Sequence, residues 1–143
     1  MQNFFVTFGL GLLVVFSTGC TSFRFKRAWR EADPSERWAG EWKSSKSSHG
    51  GQLRAVVSNR PAAKDLDVYF EAHWHGFVTA YPAHLHQEAG RKTHARKVHG
   101  EHDLKSCLGG GVYRYSGELS ESEFRVNYIS GYDQGTFVLR PSH

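Results

Sequence analysis

The sequence predicts an all-β protein, a single eight-stranded antiparallel meander barrel with a short helical turn before its first strand. Three observations predict this fold class. Apolar and polar residues alternate with period two after Arg37, such segments recur about every ten residues, and glycine-rich breaks separate them. Alternation of this kind is typical of half-buried strands, and short strands at this spacing are typical of sandwiches and up-and-down barrels.

The elements follow in chain order. Asp33-Pro34 predicts the helical turn, because aspartate caps a helix and proline fits its first position. Eight segments with strand periodicity come next: RWAGEWKS (37–44), QLRAVVSN (52–59), LDVYFEAHWHG (66–76), VTAYPAHLHQ (78–87), RKTHARKVHG (91–100), GGVYRYSG (110–117), SEFRVNYISG (122–131) and GTFVLR (135–140).

Turn positions predict the strand register. A turn at 131–134 pairs Tyr128 with Phe137, and a two-residue turn at Gly76-Phe77 pairs His75 with Val78. Both registers bring large apolar residues of neighbouring strands to one face. A slip by one residue would move every side chain to the other face, so the inward set is strongly specified.

The N-terminal segment predicts export from the cytoplasm. Residues 1–19 contain no Asp, Glu, Lys or Arg, and residues 4–16 are mostly Phe, Val, Leu and Gly. A bilayer-spanning helix needs about 20 apolar residues, whereas the apolar core of a signal peptide needs about 7 to 15. We therefore assign residues 1–19 to a signal peptide, which also disfavours a nucleic-acid partner despite the net charge of +4.

The small residues Ser17, Thr18 and Gly19 directly precede Cys20. This stretch resembles the lipobox of bacterial lipoproteins. The resemblance implies that Cys20 is acylated, that the chain is cut before it, and that the lipid holds the protein at a membrane of the bacterial cell envelope. Thr21, in place of aspartate, resembles outer-membrane sorting in didermic bacteria. Ordinary secretion and an uncleaved membrane anchor are the alternatives.

Residues 20–37 are then the lipid anchor and a linker, and residues 38–143 are the barrel domain. Basic residues alternate with aromatic ones in this linker, which contains Phe23, Arg24, Phe25, Lys26, Arg27, Trp29 and Arg30. Such a segment can lie against anionic headgroups, at about 1 kcal/mol per basic residue. A solvated tether is the alternative.

Gly40-Glu41-Trp42 follows the helical turn and enters the first of the eight strands. This arrangement is similar to the Gly-x-Trp pattern of lipocalins. The resemblance implies a closed barrel whose interior holds a small apolar ligand, with Trp42 closing one end of the barrel. Arg140, near the last strand, is the basic residue that would cover that tryptophan.

The inward face predicts the ligand-binding residues, which are Trp74, Tyr81, Tyr113, Tyr115 and Tyr128, with His94 or Arg96 near an anionic head. Aromatic rings supply apolar area, and buried hydroxyls need partners. The expected ligand is a small apolar or anionic lipid. The alternatives are a structural or interaction lipoprotein whose barrel core is filled, and a charged edge strand at 91–100.

Nine histidines raise the question of a metal centre. His73-x-His75 and His84-x-His86 each place two imidazoles about 6.5 to 7 Å apart on the outer face. The pairs lie at opposite ends of their hairpin, so we expect solvated histidines and no metal site. No nucleophile or phosphate-loop motif has its required context. The sequence predicts neither an enzyme nor a cofactor.

Overall fold

The structure is a computed structural model that describes residues 12–58, 64–88, 95–104 and 111–143. His94 and Cys107 lie outside these residues. The described elements are helix α1 (Leu12–Glu31), a 3-10 turn (Pro34–Glu36) and the strands β1 (Arg37–Ser44), β2 (Gly50–Ser58), β3 (Asp65–Trp74), β4 (Phe77–Glu88), β5 (Arg96–Asp103), β6 (Val112–Leu119), β7 (Phe124–Ile129) and β8 (Gln134–Pro141).

The eight strands form one closed antiparallel meander barrel. Each strand pairs with the next, and β1 pairs with β8, where Gly40 lies opposite Leu139. The predicted fold class is therefore confirmed. The 3-10 turn before β1 is also present, with Asp33 at its N-cap and Pro34 in its first turn, as the sequence predicts.

Alternation places the apolar residues inside. On β2, for example, Leu53, Ala55 and Val57 are buried, whereas their neighbours are at least partly exposed. The barrel has two unlike ends. We call the end with the β1–β2, β3–β4, β5–β6 and β7–β8 connections the mouth, and the end beside the 3-10 turn the base. Trp38 fills the base, with its ring 6.3 Å from that of Phe124.

The predicted register of the β7–β8 hairpin is wrong by two residues. Because this number is even, the predicted inward face is correct. Tyr128 pairs with Gly135 rather than with Phe137, which pairs with Val126. The turn is 130–133, closed by the Ser130 amide donating to the Asp133 carbonyl at 2.8 Å. The Ser130 hydroxyl accepts hydrogen bonds from two amides of the turn, a recurrent serine-based turn.

The β3–β4 turn lies one residue earlier than predicted, which changes each cross-strand partner by two residues. His75 and Gly76 form it, with φ angles of 43° and 81°, and Trp74 pairs with Phe77. Positive φ at both central residues fits the right-handed twist of a hairpin. Strand β5 begins at Arg96 rather than at residue 91, and residues 91–94 lie outside the described part of the chain.

Helix α1 occupies much of the segment that the sequence assigns to an anchor and linker. Phe25 is fully buried between the helix and the outer wall of the barrel, 5.4 Å from the ring of Tyr69. Arg37 holds the end of the helix by donating to the carbonyls of Arg30 and Ala32. Within the described residues, no helix combines the length and the hydropathy that crossing a membrane requires.

Candidate ligand cavity

The mouth leads into a cavity of about 310 Å³ inside the barrel. The inward positions at the mouth end of β3, β4, β6 and β7 are either aromatic or small. The aromatic side chains enter the cavity from opposite sides, and the small residues leave space between them. Five of the seven residues predicted to bind a ligand line this cavity: Trp74, Tyr81, Tyr113, Tyr115 and Tyr128. The structure thus brings together the five aromatic residues that the alternation pattern predicts to face inward.

Aromatic packing closes the cavity toward the base. The ring of Phe70 lies 5.5 Å from that of Tyr81 and 5.3 Å from that of Phe137. Behind this lining, the His102 imidazole stacks on the ring of Tyr81, with centroids 5.9 Å apart. Burial, together with the charge of His84, lowers the pKa of His102 and so favours its neutral form.

One polar cluster at the cavity wall is fully satisfied. The carboxylate of Asp133 accepts hydrogen bonds from the Ser44 hydroxyl at 2.6 Å and from the Tyr128 hydroxyl at 3.0 Å. Burial, and then the bond and charge of Asp133, raise the pKa of Tyr128 well above its usual range. Tyr128 therefore stays a donor at neutral pH, and the cluster fixes the β7–β8 turn to β1.

Two other donors on lining residues are poorly satisfied. The Trp74 indole nitrogen is buried and forms no hydrogen bond in the described part of the chain. The Tyr115 hydroxyl is also buried, and it lies beside the Tyr81 hydroxyl without forming a hydrogen bond of good geometry. Burial raises the pKa of Tyr81 to about 12 and that of Tyr115 still further, so both phenols remain protonated. A buried donor without an acceptor costs about 1–3 kcal/mol. The cavity thus presents hydrogen-bond donors to whatever occupies it.

Arg96 is the predicted site residue that the structure places elsewhere. It is the first residue of β5, at the base, and pairs across the strands with Leu119. Its guanidinium donates to the Gln87 side chain at 2.9 Å. Arg96 therefore lies at the opposite end of the barrel from the cavity tyrosines, because alternation defines the face of a strand but not the end. The described cavity lining contains no Lys or Arg, and its one carboxylate is Asp133.

The expected role of Trp42 is also corrected. Trp42 lines the cavity at the mouth and donates to the His73 carbonyl at 3.1 Å, whereas Trp38 fills the base. Arg140 does not cover it, since this exposed side chain pairs with Glu123 at 3.2 Å. The Gly-x-Trp motif therefore contributes a wall of the cavity in this barrel.

Sequence reasoning missed a second cluster, on the outer wall beneath helix α1. Glu71 is fully buried there, although its strand position faces outward. Its carboxylate accepts hydrogen bonds from Arg54, from His73 at 3.0 Å and from Ser22 at 3.3 Å. The signal in the sequence is the spacing of Phe25 and Trp29, which lie four residues apart on one helix face.

The histidines of β4 face outward, as predicted. His84 and His86 pair with Asp67 and Asp65 at 2.5 and 2.6 Å, and all four side chains are mostly exposed. Among the described residues, no three His, Cys, Asp or Glu side chains converge on a point where a metal ion could bind.

Comparison of the chain with models of protein families, with curated proteins and with solved structures gives no match. The geometry of the cavity and the N-terminal motif therefore support the functional argument by themselves.

Proposed function

We propose that this protein binds a small, uncharged, apolar molecule with a hydrogen-bond acceptor, in the mouth cavity of a barrel that a lipid on Cys20 holds in the bacterial cell envelope. The observation that supports the ligand is the combination, in one cavity of about 310 Å³, of an aromatic lining with two poorly satisfied donors, the Trp74 indole and the Tyr115 hydroxyl. Pockets for small molecules are mostly apolar, contain a few placed polar groups, and measure about 300–1,000 Å³.

The charge of the cavity argues for a neutral ligand. An anionic head would lie near the Asp133 carboxylate, and no Lys or Arg of the described lining would compensate it. Desolvating an unpaired charge is costly, whereas a carbonyl or ether oxygen would accept from Trp74 or Tyr115 without that cost.

Two probes with one ring system test the ligand class. The neutral N-phenyl-naphthylamine and the anionic anilinonaphthalene sulfonate are titrated into residues 22–143, which include the whole barrel and its docked helix segment. We expect the neutral probe to gain fluorescence, with energy transfer from Trp42 and Trp74, and to bind at least about tenfold tighter than the sulfonate, a difference of about 1.4 kcal/mol.

Two variants locate the binding. Trp74→Ala removes a wall of the cavity and should weaken the neutral probe about tenfold. Arg96→Gln lies at the base and should leave the titration unchanged. If neither probe gains fluorescence, the binding proposal fails and the alternative, a structural or interaction lipoprotein with a filled core, is favoured. A gain that Trp74→Ala does not reduce would place the probe outside this cavity.

The lipid on Cys20 is tested in cells that are fed a fatty-acid analogue with a clickable tag. We expect the full chain and its Cys107→Ser variant to incorporate the tag, and Cys20→Ala to lose it and to keep the leader. Incorporation that persists in Cys20→Ala would show that Cys20 is not the acylated residue.

A further inference from the structure

The large apolar side chains that are exposed in the described residues are concentrated at the mouth. Phe77 and Tyr132 are 69% and 70% exposed, and Ile129 and Val112 are 52% and 44% exposed. Phe77 begins β4 and Tyr132 lies in the β7–β8 turn, so they stand four strands apart, on opposite sides of the opening. Exposed apolar groups that cluster in this way mark a contact surface rather than the normal scatter of single residues.

We call these four residues, Phe77, Val112, Ile129 and Tyr132, the apolar rim. They lie on both the inner and the outer side of the mouth. Phe77 and Tyr132 border the cavity itself, whereas Ile129 and Val112 alternate with inward tyrosines and therefore face out. Apolar side chains thus occur both on the cavity side and on the outer side of the mouth. Among the described residues near the mouth, the positive and negative charges are equal in number. The positive residues are Lys43, Lys46 and Arg114, and the negative residues are Glu101, Asp103 and Asp133.

Helix α1 runs along the barrel from the mouth side to the base. Ser22 contacts Glu71, three positions before the mouth end of β3, and Phe25 contacts Tyr69, which is nearer the base. The helix then ends beside Arg37, the first residue of β1 at the base. Followed backward from Ser22, the chain therefore leads toward the mouth.

The apolar N-terminal segment follows that direction. Helix α1 begins at Leu12, so ten residues, or about 15 Å of helix, precede Ser22. The three strand positions from Glu71 to Trp74 cover only about 10 Å. The helix backbone from residue 12 thus reaches the level of the apolar rim, and Cys20, two residues before Ser22, lies on the way to it, so a lipid on Cys20 would extend toward the rim.

We propose that the mouth of the barrel docks on a lipid bilayer, with Phe77 and Tyr132 in the interface. Two independent features, the rim and the N-terminal side of helix α1, where Cys20 would carry its lipid, point to the same end. Aromatic side chains are enriched at this depth of a membrane. Because the charges of the described residues near the mouth balance, we assign docking to apolar contact rather than to anionic headgroups. A further consequence, which rests on the proposed function, is that the ligand exchanges directly between bilayer and cavity.

A matched pair of labels tests the orientation of the full, membrane-anchored chain. Ser120 and Ser130 begin two turns of the same geometry, one at the base and one at the mouth, and residues 122 and 132 hold the same position in them. Ser122→Cys and Tyr132→Cys are prepared in a Cys107→Ser background, labelled with one fluorophore, and reconstituted in phosphatidylcholine vesicles with nitroxide lipid. The background chain is the blank, and Phe77→Cys is a second mouth position.

We expect the label at 132, and that at 77, to lose most of its emission to the nitroxide lipid, and the label at 122 to lose none. High salt should not reduce the loss. Quenching at 122 alone, or at no position of a vesicle-bound chain, would overturn the proposal. Shielding at 132 without quenching, with a dimer that grows with concentration, would show that a second copy covers the rim and would also overturn it.

The orientation and the proposed ligand fail separately in these experiments. Probe uptake without quenching at 132 would leave the cavity proposal standing and remove the docking proposal. Quenching at 132 without uptake of either probe would leave a barrel that docks through its mouth and binds no apolar ligand.

Discussion

Arg54 holds Glu71 by two hydrogen bonds to one carboxylate oxygen on the outer wall of the barrel, where a charged pair would normally face water. The Glu71 side chain is only 1% exposed and that of Arg54 is 33% exposed. Helix α1 accounts for this burial, because Phe25 and Trp29 lie under the guanidinium, with ring centroids 5.6 and 5.2 Å from it. The pair is therefore part of the seat on which the helix docks.

Glu71→Gln should lower the free energy of unfolding by about 2–3 kcal/mol. Removing one partner of a buried pair costs about 3–5 kcal/mol, and the partial exposure of Arg54 reduces that figure. Urea unfolding of the variant measures the loss. Asp67→Asn is the matched control on the same strand face, where the exposed pair with His84 should contribute less than about 1 kcal/mol. Equal losses in the two variants would contradict the buried role of Glu71.

The same pair predicts a pH dependence. Burial raises the pKa of Glu71, but the bonds and charges of Arg54 and His73 outweigh it and hold the pKa below its usual value. The stabilisation is then complete above the unfolded pKa of about 4.3 and is lost as the pH falls through the lower folded value. The difference in stability between wild type and Glu71→Gln should be constant near neutral pH and should shrink below about pH 4. A difference that grows on acidification would rule out a lowered pKa.

Phe25 and Phe23 provide a test of helix docking within one turn. Phe25 is fully buried and Phe23 is 63% exposed. Phe25→Ala should cost about 3–4 kcal/mol, as for other buried phenylalanines, and Phe23→Ala should cost less than about 0.5 kcal/mol. Limited trypsin digestion should cut after Arg24 and Lys26 faster in Phe25→Ala alone. A stable Phe25→Ala variant with unchanged digestion would mean that the helix does not depend on this contact.

Gly40 is required by the closure of the barrel. A Cβ at this position would lie 1.9 Å from the Val138 carbonyl oxygen, where β1 meets β8. Gly40→Ala must push the two strands apart, so we expect a loss of at least about 2 kcal/mol and faster amide exchange along β1 and β8. Gly131→Ala, which meets nothing within 4 Å, is the control and should be nearly neutral. Comparable exchange in both variants would contradict the close approach.

The sequence predicts the barrel and its inward face because both depend on a period of two. The register is less accessible, since it depends on where each turn begins. Ser120 and Ser130 each accept two amide hydrogen bonds and start a turn one residue or more away from the glycines that mark the predicted breaks. Each error changes a cross-strand partner by an even number of residues. The inward face is therefore preserved, and the aromatic lining is predicted correctly.

The errors in the site have a different cause. Arg96 is two residues before Val98 and lies on the same face of β5, but the direction of the strand places it at the base. The Glu71 network could not be predicted from local pattern, because its partners Arg54 and Ser22 are 17 and 49 residues away. For helix α1, the only local pattern that predicts docking is the spacing of Phe25 and Trp29. The basic residues between and around them obscure this pattern.

Tyr115 offers the sharpest test of the cavity, because its buried hydroxyl lies beside that of Tyr81 without a hydrogen bond of good geometry, whereas the Tyr128 hydroxyl donates to Asp133. Tyr115→Phe removes this poorly bonded group and should change the free energy of unfolding of the empty protein by less than about 0.5 kcal/mol, whereas Tyr128→Phe should lower it by about 1 kcal/mol. Thermal unfolding measures both changes.

Ligand binding should respond to the Tyr115 hydroxyl more strongly than stability does. If this hydroxyl donates to a ligand oxygen, Tyr115→Phe weakens the binding of the neutral naphthyl ketone prodan by about 1 kcal/mol, or roughly fivefold. N-phenyl-naphthylamine, which lacks a carbonyl, should bind this variant as it binds the wild type, so the difference between the two probes isolates one hydrogen bond. A variant that keeps its stability when empty and binds only the ketone more weakly identifies Tyr115 as a binding residue. Equal affinity of the ketone for variant and wild type would show instead that the hydroxyl takes no part in binding.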